Sequence, residues 1–333
     1  MKIKIMRVFI LFIVLSVFLS SCSTKNDNIG EKVKVNEVTR SIFYAPQYVA
    51  MALGYFKDEN IDIELITGEG SDKTMTAILA SQSDIGLLGS SSVISVCVQG
   101  KENYPIIFSQ LTKRDGSFLI GRTPEFNWEQ LCGHSIIAGR RGSVPEMVLE
   151  YILKKRGIYE NVNLITNIQF NLMGMAFSRG IGDYVSLFEP TASTLIKEKS
   201  FYNVSSLGTE CDEIVYTCYC ASPEYINNKK HIIKKFIKCI YKAQIWVKNH
   251  SALEISKLIS PYFLDSSINM NEKCIEMYKN ANVWNSTPEV DEKGLDFMQE
   301  IMIYAGELSN KIDSKKIINN EYSKSVIEDY KST

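Results

Sequence analysis

Short β-type runs alternate with amphipathic helical stretches from Lys32 to about Ser200. This alternation is typical of parallel strands joined by crossover helices, so the sequence predicts an α/β fold. After about Glu224 the pattern becomes helical almost throughout. The predicted strands span residues 33–38, 61–66, 85–88, 106–110, 118–122, 135–138, 163–166, 184–187 and 203–205. The predicted C-terminal helices span residues 229–249, 253–259, 274–280, 294–305 and 323–330.

The N-terminus has the parts of a secretory signal. Lys2, Lys4 and Arg7 precede an apolar run over residues 8–17, and residues 19–22 read Leu-Ser-Ser-Cys. That apolar run is shorter than the roughly 20 residues that a membrane-spanning helix needs. The last four residues resemble a bacterial lipobox, in which the cysteine receives diacylglycerol and the chain is cut just before it. We therefore predict a signal peptide over 1–21, lipidation of Cys22 and a polar tether over 22–32, the alternative being an ordinary signal peptide.

The predicted signal peptide also determines the expected location and length of the mature protein. Two acyl chains hold a protein durably at a membrane, so we expect the protein to be extracytoplasmic and anchored to the cell membrane. About 300 residues remain, which is more than one hydrophobic core usually organises and favours two lobes. Loss of Lys2, Lys4 and Arg7 changes the formal charge from −1 to −4, and nothing in the sequence predicts a nucleic-acid partner.

The cysteines predict neither a disulfide framework nor a metal site. Acylation of Cys22 leaves seven of the eight, an odd number. Cys218 and Cys220 are two apart in an extended run, where their side chains point to one face and cannot easily bridge each other. No C-x-x-C pair occurs. We expect most of these cysteines to be buried small apolar residues, and we predict no metal and no cofactor.

Five turns between a predicted strand and the next helix carry small or polar residues. In open α/β sheets ligands bind outside the carboxyl ends of the strands, where helix N-termini offer free N–H groups. Any one turn can be a simple helix cap, but five together favour a cleft. The turns span residues 44–47, 68–72, 89–92, 139–143 and 188–191, and the ligand contacts predicted within them are Tyr44, Gln47, Ser71, Asp72, Ser90, Ser91, Arg140, Gly142, Ser143 and Glu189.

Two of these turns carry charge. Arg140 and Arg141 suit a phosphate, sulfonate or carboxylate, although both can equally be solvated or paired across the lobes. Ser143 and Glu146 have the spacing of a capping box at the start of the next helix. Glu189 can accept hydrogen bonds from an amino-heterocycle, and its alternative role is that of a helix N-terminal acid.

Aromatic residues are candidates for stacking on a flat ring. They are Tyr44, Tyr48, Phe188 and Tyr216, and their alternative role is in the hydrophobic core. Of these, Tyr44 and Tyr216 are included among the predicted ligand contacts.

Residues 44–56, which read YAPQYVAMALGYF, together with 69–73, 83–89 and 182–191 carry a resemblance to a known family. They are similar to the family that contains the alkylsulfonate-binding and thiamine-pyrimidine-precursor-binding proteins of ABC importers. The resemblance covers most of residues 33–250. It implies a periplasmic-binding-protein fold of the second type, in which two crossover strands join the lobes and the chain returns to the first lobe near residues 215–222. The expected first lobe is then 33–117 with 218–333, and the second lobe is 118–217.

The resemblance implies an extracytoplasmic solute-binding lipoprotein whose partners are an ABC permease and ATPase. An aminopyrimidine thiamine precursor is the preferred ligand because it suits Glu189 and the aromatic walls. An alkylsulfonate or a riboflavin-like or nucleobase-like compound is the alternative, and a structural or adhesin-like surface protein is an alternative of another class.

An enzyme is the weaker hypothesis. Eukaryotic relatives make the thiamine pyrimidine from pyridoxal phosphate and a histidine of their own. Here His134, His231 and His250 lie outside the predicted cleft turns, and residues 216–220 do not reproduce the cysteine-rich motif of those enzymes. We therefore expect a binding protein without catalytic activity.

Overall fold

Two five-stranded sheets organise the chain in a computed structural model that describes residues 30–100 and 102–332. The first sheet has the order β2-β1-β3-β10-β4, and the second has the order β7-β6-β8-β5-β9. The strands of the first are β1 Glu31–Glu37, β2 Ile61–Thr67, β3 Ile85–Gly89, β4 Ile106–Gln110 and β10 Thr217–Ala221. Those of the second are β5 Phe118–Gly121, β6 Ser135–Ile137, β7 Asn163–Ile165, β8 Tyr184–Leu187 and β9 Tyr202–Ser206. We call the halves built on these sheets the first lobe and the second lobe.

The strand directions show the α/β character that the sequence predicts. β1 pairs in parallel with β2 and β3, and β6 pairs in parallel with β7 and β8. Each sheet also contains one strand that runs against its neighbours. β10 is antiparallel to β3 and β4, and β5 is antiparallel to β8 and β9. The two-lobed α/β fold is therefore confirmed, with strand bounds that differ from the predicted ones by at most two residues.

Helices cover the faces of the sheets. In the first lobe they are α1 Ala45–Ala52, α2 Tyr55–Asp58, α3 Ser71–Leu79 and α4 Ser90–Val98. The second lobe contributes α5 Val144–Lys155, α6 Met173–Ser178, α7 Thr191–Lys199 and α8 Leu207–Glu210. The C-terminal helices are α9 Pro223–Asn228, α10 Lys230–Asn249, α11 Ala252–Ile259, α12 Ile268–Asn280, α13 Glu292–Tyr304 and α14 Glu321–Lys331. No helix in the described ranges is both long enough and apolar enough to span a bilayer.

The sequence analysis does not predict the strand Thr217–Ala221, although it predicts that the chain returns to the first lobe near residues 215–222. Its residues are all buried, and it lies between β3 and β4 at the centre of the first sheet. Cys218 and Cys220 lie in this strand. All seven cysteines of the described ranges are free, and five of them are buried, which confirms that most are small core residues.

Two local predictions need correction or restriction. The capping box at Ser143 is wrong, because the Ser143 hydroxyl caps nothing and the Glu146 carboxylate instead accepts from the Gly142 amide at 3.0 Å. Gly142 has a φ of +75°, and the turn that this φ allows brings its N–H back over the first turn of α5. At the N-terminus, β1 begins at Glu31, inside the range predicted as a tether. The signal peptide and Cys22 lie outside the described residues.

Two crossover segments, 111–117 and 207–216, join the lobes and run side by side. The Ile214 amide donates to the Lys113 carbonyl at 2.9 Å, and the Leu207 amide donates to the Ser117 carbonyl at 3.0 Å. The Arg114 guanidinium lies across the second segment and donates to the carbonyls of Gly208 and Cys211 at 2.9 and 3.1 Å. This paired ribbon is the covalent connection between the two lobes.

Candidate ligand-binding site

Four aromatic rings meet where the lobes face each other. Phe43 precedes α1 in the first lobe, Phe188 follows β8 in the second, Tyr216 ends the second crossover, and Tyr278 lies in α12. The ring centroid of Phe43 lies 5.4 Å from that of Phe188, 5.4 Å from that of Tyr216 and 5.3 Å from that of Tyr278. We call these four residues the aromatic cluster. It fills the interlobe space with flat apolar surface, which is the kind of surface on which a planar ligand stacks.

Gly116 forms the floor beneath this cluster. A Cβ built at Gly116 would lie 2.4 Å from Cε2 of Phe43 and 2.9 Å from Cε1 of Phe188. Real Cβ atoms do not approach other atoms so closely, so glycine is required for both rings to reach the crossover backbone. The first crossover therefore passes directly under the point where the two lobes touch.

A second contact between the lobes involves α5 and α13. The Tyr151 ring of α5 packs edge-on against Phe297 and Tyr304 of α13, with centroid distances of 5.4 and 5.3 Å. Gly142, before α5, abuts the Glu307 carboxylate, and Val144 packs against Gly89 of the first lobe. The lobes are thus closed on each other in this structure.

Glu189, the preferred ligand carboxylate of the sequence analysis, is buried and bonded within the protein. Its oxygens accept from the Ser193 amide at 2.9 Å and the Ser193 hydroxyl at 2.8 Å. Its own amide donates to the Tyr278 hydroxyl at 3.0 Å, and the Cys274 thiol lies 3.5 Å from Oε2. Burial raises the pKa of the Glu189 carboxyl, and the Ser193 hydrogen bonds oppose that rise. Glu189 therefore caps the start of α7 and ties the second lobe to α12.

Asp115 is a second buried carboxylate, in the first crossover next to Gly116. Its Oδ1 accepts from the amide and the hydroxyl of Ser117, whereas its Oδ2 is enclosed and has no hydrogen-bond partner in the described structure. Burial raises the pKa of the Asp115 carboxyl to about 6, against the opposing effect of Ser117 and of the nearby Tyr216 hydroxyl. The sequence analysis did not select this residue.

Glu37, at the carboxyl end of β1, is the third buried carboxylate of the site region. Its carboxylate accepts from Arg40 Nε at 2.9 Å, Gln47 Nε2 at 3.0 Å, the Tyr48 hydroxyl at 2.6 Å and the Thr67 hydroxyl at 3.1 Å. Burial raises its pKa despite these donors. Gln47, a predicted ligand contact, is thus held by Glu37 on one side and by the Tyr219 hydroxyl at 3.2 Å on the other.

Glu146, beside the turn 139–143 that contains Arg140 and Arg141, is the fourth buried carboxylate. Burial raises its pKa to about 7, and the hydrogen bond from the Gly142 amide opposes the rise. Arg140 and Arg141 are exposed on the surface of this turn. The enclosed Ser143 hydroxyl has no partner in the described structure.

The remaining predicted contacts fall into two groups. Ser90 is hydrogen-bonded to the end of the second crossover. Its amide donates to the Tyr216 carbonyl at 3.1 Å, and its hydroxyl donates to the Val215 carbonyl. Ser91 and Tyr44 are buried in the first lobe, and the centroid of the Tyr44 ring lies 5.9 Å from that of Phe43. Ser71 and Asp72 begin α3, and the Asp72 side chain is exposed.

Residues 42–252 match the family described as "NMT1/THI5 like", which is more than half of the chain. The chain belongs to this family. The expectation from the sequence motifs is therefore confirmed. A relative from Bacillus subtilis (strain 168), named "Putative binding protein YtlA", is 42% identical over 312 residues, which cover 92% of this chain and 93% of the relative.

Solved structures of low identity share the family fold. The ligand-binding component of an ABC-type import system from Staphylococcus aureus, solved with zinc bound, has a TM-score of 0.72 at 12% identity and covers 89% of this chain and 99% of its own. The periplasmic aliphatic sulphonate-binding protein SsuA from Escherichia coli has a TM-score of 0.71 at 13% identity, with coverages of 86% and 97%. The desulfurization enzyme DszB has a TM-score of 0.63 at 12% identity, with coverages of 90% and 99%. At these identities the likeness shows the fold alone.

The site also contains residues that sequence reasoning did not select. Asp115 and Gly116 carried a usable signal, because a polar residue and a glycine follow the carboxyl end of the strand 106–110. Phe43 lies one residue before a turn that was selected. Tyr278 gave no local signal, since α12 joins the cluster from a distant part of the chain.

Proposed function

We propose that this protein is the extracytoplasmic solute-binding component of an ABC importer and that its ligand is a flat nitrogen heterocycle, specifically an aminopyrimidine thiamine precursor. Family membership and the fold shared with an import-system component support the role. A lipid on Cys22 anchors the protein outside the cell membrane. The lobes, 33–117 with 218–333 and 118–217, hinge about the crossovers, close on the ligand and deliver it to the permease.

The observation that carries the ligand class is the aromatic cluster with two buried carboxylates, those of Asp115 and Glu189, beside it. Phe43 and Phe188 face each other from opposite lobes, so that opening creates a slot between two rings. Glu37, Asp115, Glu146 and Glu189 are all buried in or next to the predicted cleft turns and crossovers. Carboxylates accept hydrogen bonds from amino and ring N–H groups and repel anions. An N–H-bearing planar ring is complementary to this site.

An alkylsulfonate is the second candidate, favoured by the exposed Arg140 and Arg141 beside the start of α5. The same region also argues against it. The Gly142 amide already donates to Glu146, and the Ser193 amide of α7 already donates to Glu189. A sulfonate at either helix start would have to displace a buried carboxylate from an N–H group.

The fold of DszB raises the question of catalysis, and we assign no reaction to this chain. Burial raises the pKa of Cys218, Cys220, Cys239 and Cys274 above the ordinary thiol value, so these thiols are poor nucleophiles. Within the described ranges no three His, Cys, Asp or Glu side chains form a group suited to a metal ion.

The test is to identify what the protein binds. Protein purified from membranes in detergent is denatured, released small molecules are identified by mass spectrometry, and the emptied protein is titrated calorimetrically. The titrants are hydroxymethylpyrimidine, formylaminopyrimidine, riboflavin and alkylsulfonates of several chain lengths. We expect an aminopyrimidine to bind most tightly. Tight binding of a sulfonate alone would overturn the ligand class and keep the solute-binding role, and saturation by none of them would remove the support for both.

A further inference from the structure

Asp115 differs from the other buried carboxylates in what its oxygens contact. Both oxygens of Glu37 and both of Glu189 accept hydrogen bonds, and Glu146 accepts one from Gly142. Among these four residues, Asp115 is the one with an enclosed oxygen that lacks a partner in the described structure. A buried polar atom without a partner is costly, so its presence in a folded protein calls for an explanation.

The position of Asp115 connects it to the aromatic cluster. Its chain neighbour Gly116 touches Phe43 and Phe188, and the Tyr216 hydroxyl lies near its carboxylate while the Tyr216 ring packs on Phe43. On the other side, a Cβ built at Gly208 would lie 2.1 Å from the Asp115 carbonyl, so the two crossovers are pressed together here. Asp115 is therefore held rigidly at the base of the slot between Phe43 and Phe188.

We propose that Asp115 is the carboxylate that anchors the ligand, and that its Oδ2 accepts a hydrogen bond from an amino or ring N–H group of the heterocycle. This inference rests on the proposed function and specifies which group of the ligand the site recognises, namely an N–H donor. When the lobes separate, the ring enters between Phe43 and Phe188, and its N–H edge points down to Oδ2. Glu189 stays bonded to Ser193 as the cap of α7. The site then selects against rings that present only acceptors at that edge.

The charged and titratable groups that face Asp115 are Tyr216, Tyr278, Cys211 and the side chain of Arg114. The Tyr216 hydroxyl lowers the pKa of the Asp115 carboxyl by hydrogen bonding, but no described donor meets Oδ2 in hydrogen-bond geometry. The Arg114 guanidinium is directed to the Gly208 and Cys211 carbonyls and to Glu213. No described cation pairs with the Asp115 carboxylate, so a ligand N–H can take that place.

The test compares Asp115→Asn with Glu189→Gln, the matched isosteric change at the other buried carboxylate. Each variant is titrated with hydroxymethylpyrimidine, which has an exocyclic amino group, and with the same pyrimidine carrying methyl in place of the amino group. We expect Asp115→Asn to weaken binding of the amino compound by at least about tenfold and to change binding of the methyl compound by less than about threefold. Glu189→Gln is expected to have the smaller effect on the amino compound.

The outcomes separate this inference from the proposed function. If the wild-type protein binds the amino compound and Asp115→Asn binds it equally well, the anchor is not Asp115, and a larger loss with Glu189→Gln would place it there instead. If the wild-type protein binds neither pyrimidine, the proposed ligand class fails first and the inference fails with it.

A second measurement covers the case in which Asp115→Asn does not fold. The wild-type affinity for the uncharged amino compound should then fall by up to tenfold per pH unit below about 6, where Asp115 becomes protonated in the free protein. An affinity that is constant between pH 5 and 7.5 would overturn the proposal.

Discussion

The Phe43 ring of the first lobe packs edge-on against the Phe188 ring of the second, with 5.4 Å between centroids and 67° between ring planes. A flat ligand stacked between two rings needs about 7 Å between them, because carbon atoms in contact lie about 3.5 Å apart. A flat ligand between Phe43 and Phe188 would therefore require the two rings to separate. Variants of Phe43 in the first lobe and of Phe188 in the second can therefore test the proposed cleft.

Replacing Phe188 with alanine should weaken binding of an aminopyrimidine about 10- to 100-fold, because a stacked base is worth about 1–3 kcal/mol. Phe170→Ala is the matched control, since Phe170 is 42% exposed and packs against Phe188 with 5.6 Å between ring centroids. Calorimetric titration measures both variants. Equal losses, or none, would count against stacking at Phe188.

Gly116→Ala should prevent full closure. The added Cβ would overlap the rings of Phe43 and Phe188, and the lobes can relieve this overlap by separating. Small-angle scattering of the unliganded protein should show a larger radius of gyration than the wild type. Adding Phe43→Leu, which shortens the nearer side chain, should restore part of the compaction. An unchanged scattering profile for Gly116→Ala would mean that the lobes are not closed in solution.

The buried carboxyls predict that the protein is more stable near pH 5 than near pH 7.5. Burial raises the pKa of Asp115 from 3.8 to about 6 and that of Glu146 from 4.5 to about 7. The folded state therefore binds more protons than the unfolded state between pH 4 and 7, and stability is lost as the pH rises through the folded pKa values. Asp115→Asn should regain on the order of 2 kcal/mol at pH 7.5. Thermal unfolding over this range checks the sign, and a rise in stability with pH would contradict it.

Tyr278→Phe should loosen the second lobe from α12. It leaves the Glu189 amide without its partner at 3.0 Å, and an unpartnered buried N–H costs about 1–3 kcal/mol. Hydrogen exchange of the Glu189 amide should become faster. Tyr241→Phe, which alters a buried ring packed edge-on against Tyr330 away from the cleft, is the control. Equal protection of Glu189 in both variants would mean that Tyr278 does not hold this contact.

Cys22→Ala should release the protein from the membrane. Without the acceptor thiol the proposed lipid has no site of attachment. Immunoblots of membrane and culture-medium fractions measure the distribution, and metabolic labelling with a fatty acid reports acylation directly. Retention of the unlabelled variant in the membrane fraction would point to a different mode of attachment.

The sequence alone determined the secondary structure and the fold class, because these depend on local periodicity. Strands 106–110 and 184–187 have the bounds that their apolar runs predict, and α10 begins one residue after its predicted start. The motifs also placed the turns at the carboxyl ends of the strands. The insertion of Thr217–Ala221 between β3 and β4 needed more than a local pattern, since that strand has two antiparallel neighbours from distant parts of the chain.

Only the tertiary structure decided which polar groups remain available. The position of Glu189 after a strand made it the predicted ligand carboxylate, and only the fold shows that Ser193 and Cys274 already contact its oxygens. Asp115 was not selected from the sequence, and the pairing of two crossovers about 90 residues apart encloses it and leaves Oδ2 without a partner in hydrogen-bond geometry. Hydrogen-bond partners and burial depend on long-range packing, which a single sequence does not specify at the level of individual atoms.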